Sequence, residues 1–299
     1  MTLSPDEVSE RLSAALAGRL ALQMSVSSLE VVEEWMDTPL TRWLDSVPLP
    51  MEMPDGQSPA LVVALGSDGN LVRWSSGGDP GGVIPKLTDY LRRSGALPGD
   101  FQRVDEAGQG LEPAEVGSWI EIRPKKLITG WYFEDRMATA SVRALLREGA
   151  WMEMAGTHCL RVARSVGADP VTDVVIELLG DDRDGRLAAA AGAFARMGVP
   201  FDLSSVPEGL GAALAIGARA RGGAIESVSV VAAHPGAAGV SALCTAVGAP
   251  MVPALQAVER SIAARGAAVV ELERAAGTGT GGTVILSYIA GASGGASLN

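Results

Sequence analysis

Short apolar runs bounded by glycine, proline and charged residues set the rhythm of this chain. Ala60–Gly66 (ALVVALG), Val171–Leu179 (VTDVVIELL) and Val228–Ala233 (VSVVAA) are too short for buried helices and rich enough in β-branched residues to read as strands. Leu20–Leu29 reads the same way. Helical spacing follows in Val31–Leu44 and Arg186–Met197, the second opened by the acidic loop Asp181-Asp182-Arg183-Asp184-Gly185. At the N-terminus, Ser4, Pro5 and Glu7 are placed as N-cap, first helical residue and capping-box partner of an amphipathic helix.

The pattern repeats. Sliding the chain by 168 residues lays Ala60–Gly66 over Val228–His234 and Val83–Leu87 over Met251–Leu255, with Pro85 on Pro253. The same shift lays Phe101–Val104 over Val269–Leu272, and Ser118–Arg123 (SWIEIR) answers Thr283–Ser287 (TVILS). Each half then holds a buried strand, a helix begun near a proline, and a closing β-hairpin. This predicts two similar mixed α/β halves, residues 1–168 and 169–299, packed on one another. The first half would carry a Trp-rich hairpin and a helical insertion.

Composition narrows the function classes. A net charge of −11 and a pI near 4.7 oppose a large nucleic-acid surface, because phosphate affinity comes mainly from clustered Lys and Arg. Arg123-Pro124-Lys125-Lys126 is too short a basic run to reverse that. The N-terminus lacks a basic start and an unbroken apolar run, so neither a secretion signal nor a membrane span is expected, and a cytoplasmic protein is the default. Cys159 and Cys244 show no metal-ligand spacing, and the acidic pairs lack histidine companions, so no metal and no cofactor are predicted.

Few residues offer chemistry. His234, one of two histidines, ends an apolar strand where a small-residue turn opens a helix, and such junctions carry ligand sites in α/β proteins. His158 and Cys159 are neighbours in sequence, so their side chains diverge, and Cys159 reads as an inert core thiol. Trp119, Trp131, Tyr132 and Phe133, with Lys125 and Lys126, gather on one predicted hairpin. They suit either a ligand-anchoring surface or a core packed by aromatics.

The run His234-Pro235-Gly236-Ala237-Ala238-Gly239-Val240, ending at Val252-Pro253, resembles the ketosynthase segment in which a catalytic histidine precedes an Ala-Ala-Gly helix. The tail Gly277 to Leu286 is similar to the Gly-rich hairpin near the ketosynthase C-terminus. With the repeat, these segments resemble the thiolase-like superfamily, and they imply an α/β, thiolase-like fold: two duplicated halves in a layered sandwich. The resemblance also shows what is missing. The nucleophilic cysteine would fall at Gly66-Ser67-Asp68-Gly69, where Ser67 is the sole possible replacement, and the family's other histidine has no counterpart near Val174–Asp182.

What the resemblance implies is therefore a ketosynthase-like protein without the condensing triad. It would bind an acyl or peptidyl intermediate and assist a partner enzyme of secondary metabolism, for instance a ribosomal-peptide pathway of the crocagin kind. His234 and Ser67 would be its catalytic candidates. Trp119, Trp131, Tyr132, Lys125, Lys126, Gly279 and Gly281 would contact the ligand. The alternatives are an acyltransferase or cyclase using His234, or a non-catalytic partner subunit of an active ketosynthase. A homodimer joined through Ala60–Gly66 is expected from the same resemblance.

Overall fold

A computed structural model describes residues 60–66, 71–93, 96–123, 126–147, 149–180, 182–199, 201, 206, 213–233, 235–248, 268–275 and 282–289. Ten strands among them close into one antiparallel barrel. They are β1 (Ala60–Gly66), β2 (Leu71–Gly78), β3 (Glu115–Arg123), β4 (Lys126–Ala138), β5 (His158–Ser165), β6 (Val171–Glu177), β7 (Ala213–Arg221), β8 (Ala224–Ala233), β9 (Ala268–Ala275) and β10 (Thr283–Ile289). Each strand pairs with its neighbours in sequence, and β10 returns to β1 through a register running from Ala60↔Ile289 to Gly66↔Thr283.

The ten described strands form five hairpins, and helical segments lie between them. α1 (Pro80–Arg93) and α2 (Pro98–Gly110) link β2 to β3, and α3 (Thr139–Leu146) and α4 (Trp151–Ala155) link β4 to β5. α5 (Arg183–Arg196) links β6 to β7, and α6 (Gly236–Ala246) lies between β8 and β9. The β7–β8 hairpin shows how local chemistry sets register. Arg221 pairs with Ala224 across Gly222 and Gly223, whose φ of 56° and 83° give the two left-handed residues that a tight primed turn requires.

Alternation along the strands sorts side chains into two sets, because successive residues point to opposite faces. The outward set includes Val116, Trp131, Phe133, Val162, Val174, Ile176, Ile216, Val228, Val230, Val284 and Leu286. It forms one buried core with Val83, Leu87, Leu91, Val142, Phe194, Val240 and Leu243 of the helices. The principal core is therefore a sleeve between barrel and helices. The inward set is different: Arg73, Glu121, Arg161, Asp173, Arg219, Ser227, Ser229 and Glu273 enclose a polar lumen.

This architecture overturns the thiolase-like sandwich of duplicated α/β halves. The 168-residue shift placed β1 on β8 and β3 on β10, yet an odd and an even strand run in opposite directions around an antiparallel barrel. The similarity was one of composition, since buried strands of any topology draw on Ala, Val, Ile and Leu. Phe101–Val104, expected as a strand, lies inside α2. Both edges of β1 are occupied, by β2 and β10, so a dimer joined through Ala60–Gly66 has no free edge to use. The expected N-terminal elements and Met251–Leu255 lie outside the described residues.

Candidate functional site

The lumen is crossed by a lattice of four charged side chains. Arg73 of β2 sends Nε and Nη2 to Glu121 Oε2 at 3.1 and 2.6 Å, and Nη2 also reaches Asp173 Oδ2 at 3.0 Å on the opposite wall. Arg219 of β7 stands 3.7 Å from Asp173 Oδ1 and 3.8 Å from Glu121 Oε1. Two guanidinium groups thus share two carboxylates across β2, β3, β6 and β7. Burial alone would drive Arg73 toward neutrality, but Glu121 and Asp173 more than offset it and raise its pKa; Arg219 shows the same balance. Both guanidinium groups are held as cations.

A second group lies nearer the ends of the strands that meet the helices. Tyr132 donates its hydroxyl to Glu115 Oε1 at 2.6 Å, and the Arg161 guanidinium sits 5.1 Å from the Tyr132 ring centre, with Nε 3.2 Å from Glu134 Oε1. Burial, with the negative charges of Glu115 and Glu134, pushes the Tyr132 phenol up, so it stays protonated and serves as a donor. On the far wall the Ser227 hydroxyl donates to Glu273, a residue that also lines the cavity.

The lumen is two-sided. Trp119, Tyr132 and Ala163, with Ile128 against them, form a small apolar cluster separate from the main core, on β3, β4 and β5. Asp173, Arg219, Ser227, Ser229 and Glu273 face it from β6 to β9. The cavity lined by Arg73, Arg161, Asp173, Arg219 and Glu273 measures about 60 Å³, and the aromatic rings meet it through Arg73, which lies over Trp119, and Arg161, which lies over Tyr132. That volume holds about four to six waters, since one occupies roughly 10–15 Å³ on the same measure.

The residues singled out from sequence are dispersed by this fold. Trp119 and Tyr132 share the inner cluster, whereas Trp131 points outward, 4.9 Å from Phe133 in the sleeve, with its backbone carbonyl accepting the Trp119 indole N–H at 3.1 Å. The backbone of Lys126 begins β4. His234, Ser67, Lys125, Gly279 and Gly281 lie outside the described residues. His158 opens β5, its Nδ1 3.1 Å from the Thr157 hydroxyl and 3.4 Å from Glu177 Oε2. Cys159 is buried, and burial pushes its thiol up to about 12, despite hydrogen bonding to the backbone at Arg161 and Val175.

Sequence reasoning missed the lattice itself. Its signal was present, in single charges at alternate positions of otherwise strand-like segments: Arg73 in LVRWSS, Glu121 in SWIEIR, Asp173 in VTDVV and Arg219 in IGARAR. A charge inside a strand with period two marks the face opposite the apolar one. Among the described residues no group of three or more His, Cys, Asp or Glu could hold a metal ion, and no helix is long and apolar enough to cross a membrane.

No protein-family model matches this chain. Among solved structures, 6-dimethylallyl tryptophan synthase aligns with a TM-score of 0.55 and 12% identity, covering 96% of each chain. A 5-dimethylallyl tryptophan synthase from Streptomyces coelicolor, solved with DMASPP and Trp, aligns at 0.48 with 14% identity over 96% of this chain and 95% of its own. Among curated proteins, a PH domain-containing protein of Dictyostelium discoideum is 26% identical over 163 residues. That match covers 51% of this chain and 36% of the relative.

The chain thus shares the barrel fold of 6-dimethylallyl tryptophan synthase, and the thiolase-like assignment falls. With it fall the ketosynthase-like binder of acyl or peptidyl intermediates, the acyltransferase or cyclase, and the ketosynthase partner subunit. The His234 segment and the Gly-rich tail matched only as short, small-residue runs.

Proposed function

We propose that this protein is a prenyltransferase-like barrel whose lumen receives an allylic diphosphate and an aromatic acceptor. The observation that carries this reading is the convergence of Arg73, Arg161 and Arg219 on one cavity, with Arg73 set against the Trp119 ring and Arg161 against the Tyr132 ring, inside a barrel shared with 6-dimethylallyl tryptophan synthase. Guanidinium groups recognise phosphate oxygens by paired, charge-assisted hydrogen bonds, and an aromatic wall suits a planar acceptor.

In such a transfer the allylic C–O bond breaks and both its electrons leave with the diphosphate, which the arginines hold. A ring carbon of the acceptor supplies the pair that forms the new C–C bond. The displaced ring proton passes to a lumen carboxylate, and Asp173 and Glu273 line the cavity. Because ligand sites for molecules of drug size usually measure about 300–1,000 Å³, the resting cavity must open. The diphosphate would do this by competing with Glu121 and Asp173 for Arg73 and Arg219.

The small cavity also favours a second reading, a barrel that keeps the fold but uses the lattice only as internal bracing. One experiment separates the two. Purified protein is incubated with dimethylallyl diphosphate and tryptophan, indole or tyrosine, and pyrophosphate release is followed alongside acceptor mass. The transferase reading expects release matched by addition of one dimethylallyl unit, reduced at least about tenfold by Arg219→Gln. Absence of release with every acceptor, together with no binding of inorganic pyrophosphate, establishes bracing instead.

A further inference from the structure

We infer that Trp119, seated on Gly130, is the positioning residue that holds Arg73 in place for an anionic ligand. This rests on the reading of the lumen as a diphosphate site. Arg73 has two neighbours of different kinds. Its edge is held by Glu121 and Asp173, and its guanidinium carbon stands 4.5 Å from the centre of the Trp119 ring. Carboxylates are competitors for the cation that an incoming anion must displace. A π face is no such competitor, because it attracts the guanidinium while leaving its N–H edge free to donate.

The seat of the ring is built by three features. Trp119 is buried, and its indole N–H is committed to the Trp131 carbonyl at 3.1 Å, which fixes the ring's rotation. Trp119 and Gly130 are directly paired across β3 and β4. A Cβ placed on Gly130 would lie 2.5 Å from Trp119 Cε2 and Cζ2, and 2.2 Å from the Arg164 carbonyl oxygen. Glycine at position 130 therefore lets the indole lie against the barrel wall. A side chain there would force the ring, and the guanidinium beside it, into the lumen.

Trp119 thus acts through Arg73. When an anion draws Arg73 away from Glu121, the indole face keeps the guanidinium within reach of the cavity and limits the positions it can take.

The test measures binding of inorganic pyrophosphate by calorimetry to the wild-type chain and to the Trp119→Phe, Trp119→Leu, Arg73→Gln and Trp119→Leu/Arg73→Gln variants. Loss of the aromatic face in Trp119→Leu is expected to weaken binding about tenfold, while Trp119→Phe, which keeps a π face, stays within about twofold. Adding Trp119→Leu to Arg73→Gln should cost nothing further, since the residue acts through the arginine. Equal affinity in Trp119→Leu and wild type, or full additivity of the two changes, overturns the inference.

If the wild-type chain binds no pyrophosphate, the diphosphate reading fails and the stack is judged separately. Near-ultraviolet circular dichroism of Arg73→Gln against wild type should then show an indole signal that vanishes when the same comparison is made in a Trp119→Phe background. A signal unchanged by that background rules out the stack.

Discussion

Glu121 is the residue on which the lumen's electrostatics turn. Its side chain is wholly buried and contacts both Arg73 and Arg219, at 2.6 and 3.8 Å. Removing one member of a buried ion pair leaves the other charged and unsolvated, which costs about 3–5 kcal/mol. Glu121→Ala is therefore expected to lose about that much stability in urea unfolding. Removing Arg73 as well, as Arg73→Met/Glu121→Ala, removes the cation left unmatched and leaves Arg219 with Asp173 at 3.7 Å and Glu226 at 3.9 Å. The double variant should be more stable than Glu121→Ala, and a cost equal to the sum of the single changes would show that the pair is not coupled. Neither Glu121 nor Arg73 stood out in the sequence, where single charges between apolar residues read as ordinary polar positions. Trp119 and Tyr132 did stand out, because large aromatics on one hairpin restrict their own placement to a groove or a core.

Elements were legible where a local signal sufficed. Val171–Glu177 forms β6, Ala224–Ala233 forms β8, and Arg183–Arg196 forms α5 after the acidic loop, each marked by β-branched runs or by helical spacing with a cap. Asp182 supplies that cap. Its backbone is extended at φ −134°, and its carboxylate accepts the Gly185 N–H at 2.7 Å, satisfying a donor that the first turn leaves open. Asp182→Ala is expected to cost about 1 kcal/mol, and Asp182→Ser to recover most of it, with calorimetric midpoints as the check. A midpoint unmoved by Asp182→Ala would mean that α5 is held by Ala190, Ala193 and Phe194 in the core alone. The four residues Phe101–Val104 misled because so short a run has no distinguishable period, and the surrounding Pro98–Gly110 frame is what makes them helical. Sequence reasoning missed the Gly222-Gly223 pair, a hairpin signal flanked by the strands it joins.

At the scale of the whole molecule, closure was the feature that no local pattern encodes. A strand's residues determine which face is apolar, but they do not say whether its outer edge meets solvent, a second sheet or the far end of the same chain. The 168-residue shift compared strands one by one and so could not detect that β1 and β8 run in opposite directions, or that β10 closes the sheet on β1. Leu286 tests this directly. It is buried, and its backbone lies between Val63 of β1 and Val270 of β9, with strands on both sides. Proline is tolerated on a strand whose edge is free, and it breaks a ladder in a strand flanked on both sides. If the barrel is closed, Leu286→Pro abolishes the cooperative unfolding transition, whereas Leu286→Ile, which keeps volume and the backbone donor, shifts it by less than about 1.5 kcal/mol. Cooperative unfolding of Leu286→Pro with near wild-type stability would instead make β10 an edge strand. Amide exchange resolves the mechanism, because opening the β1–β10 seam should release protection first in those two strands and only later in β4 to β8, whose ladders stay flanked on both sides.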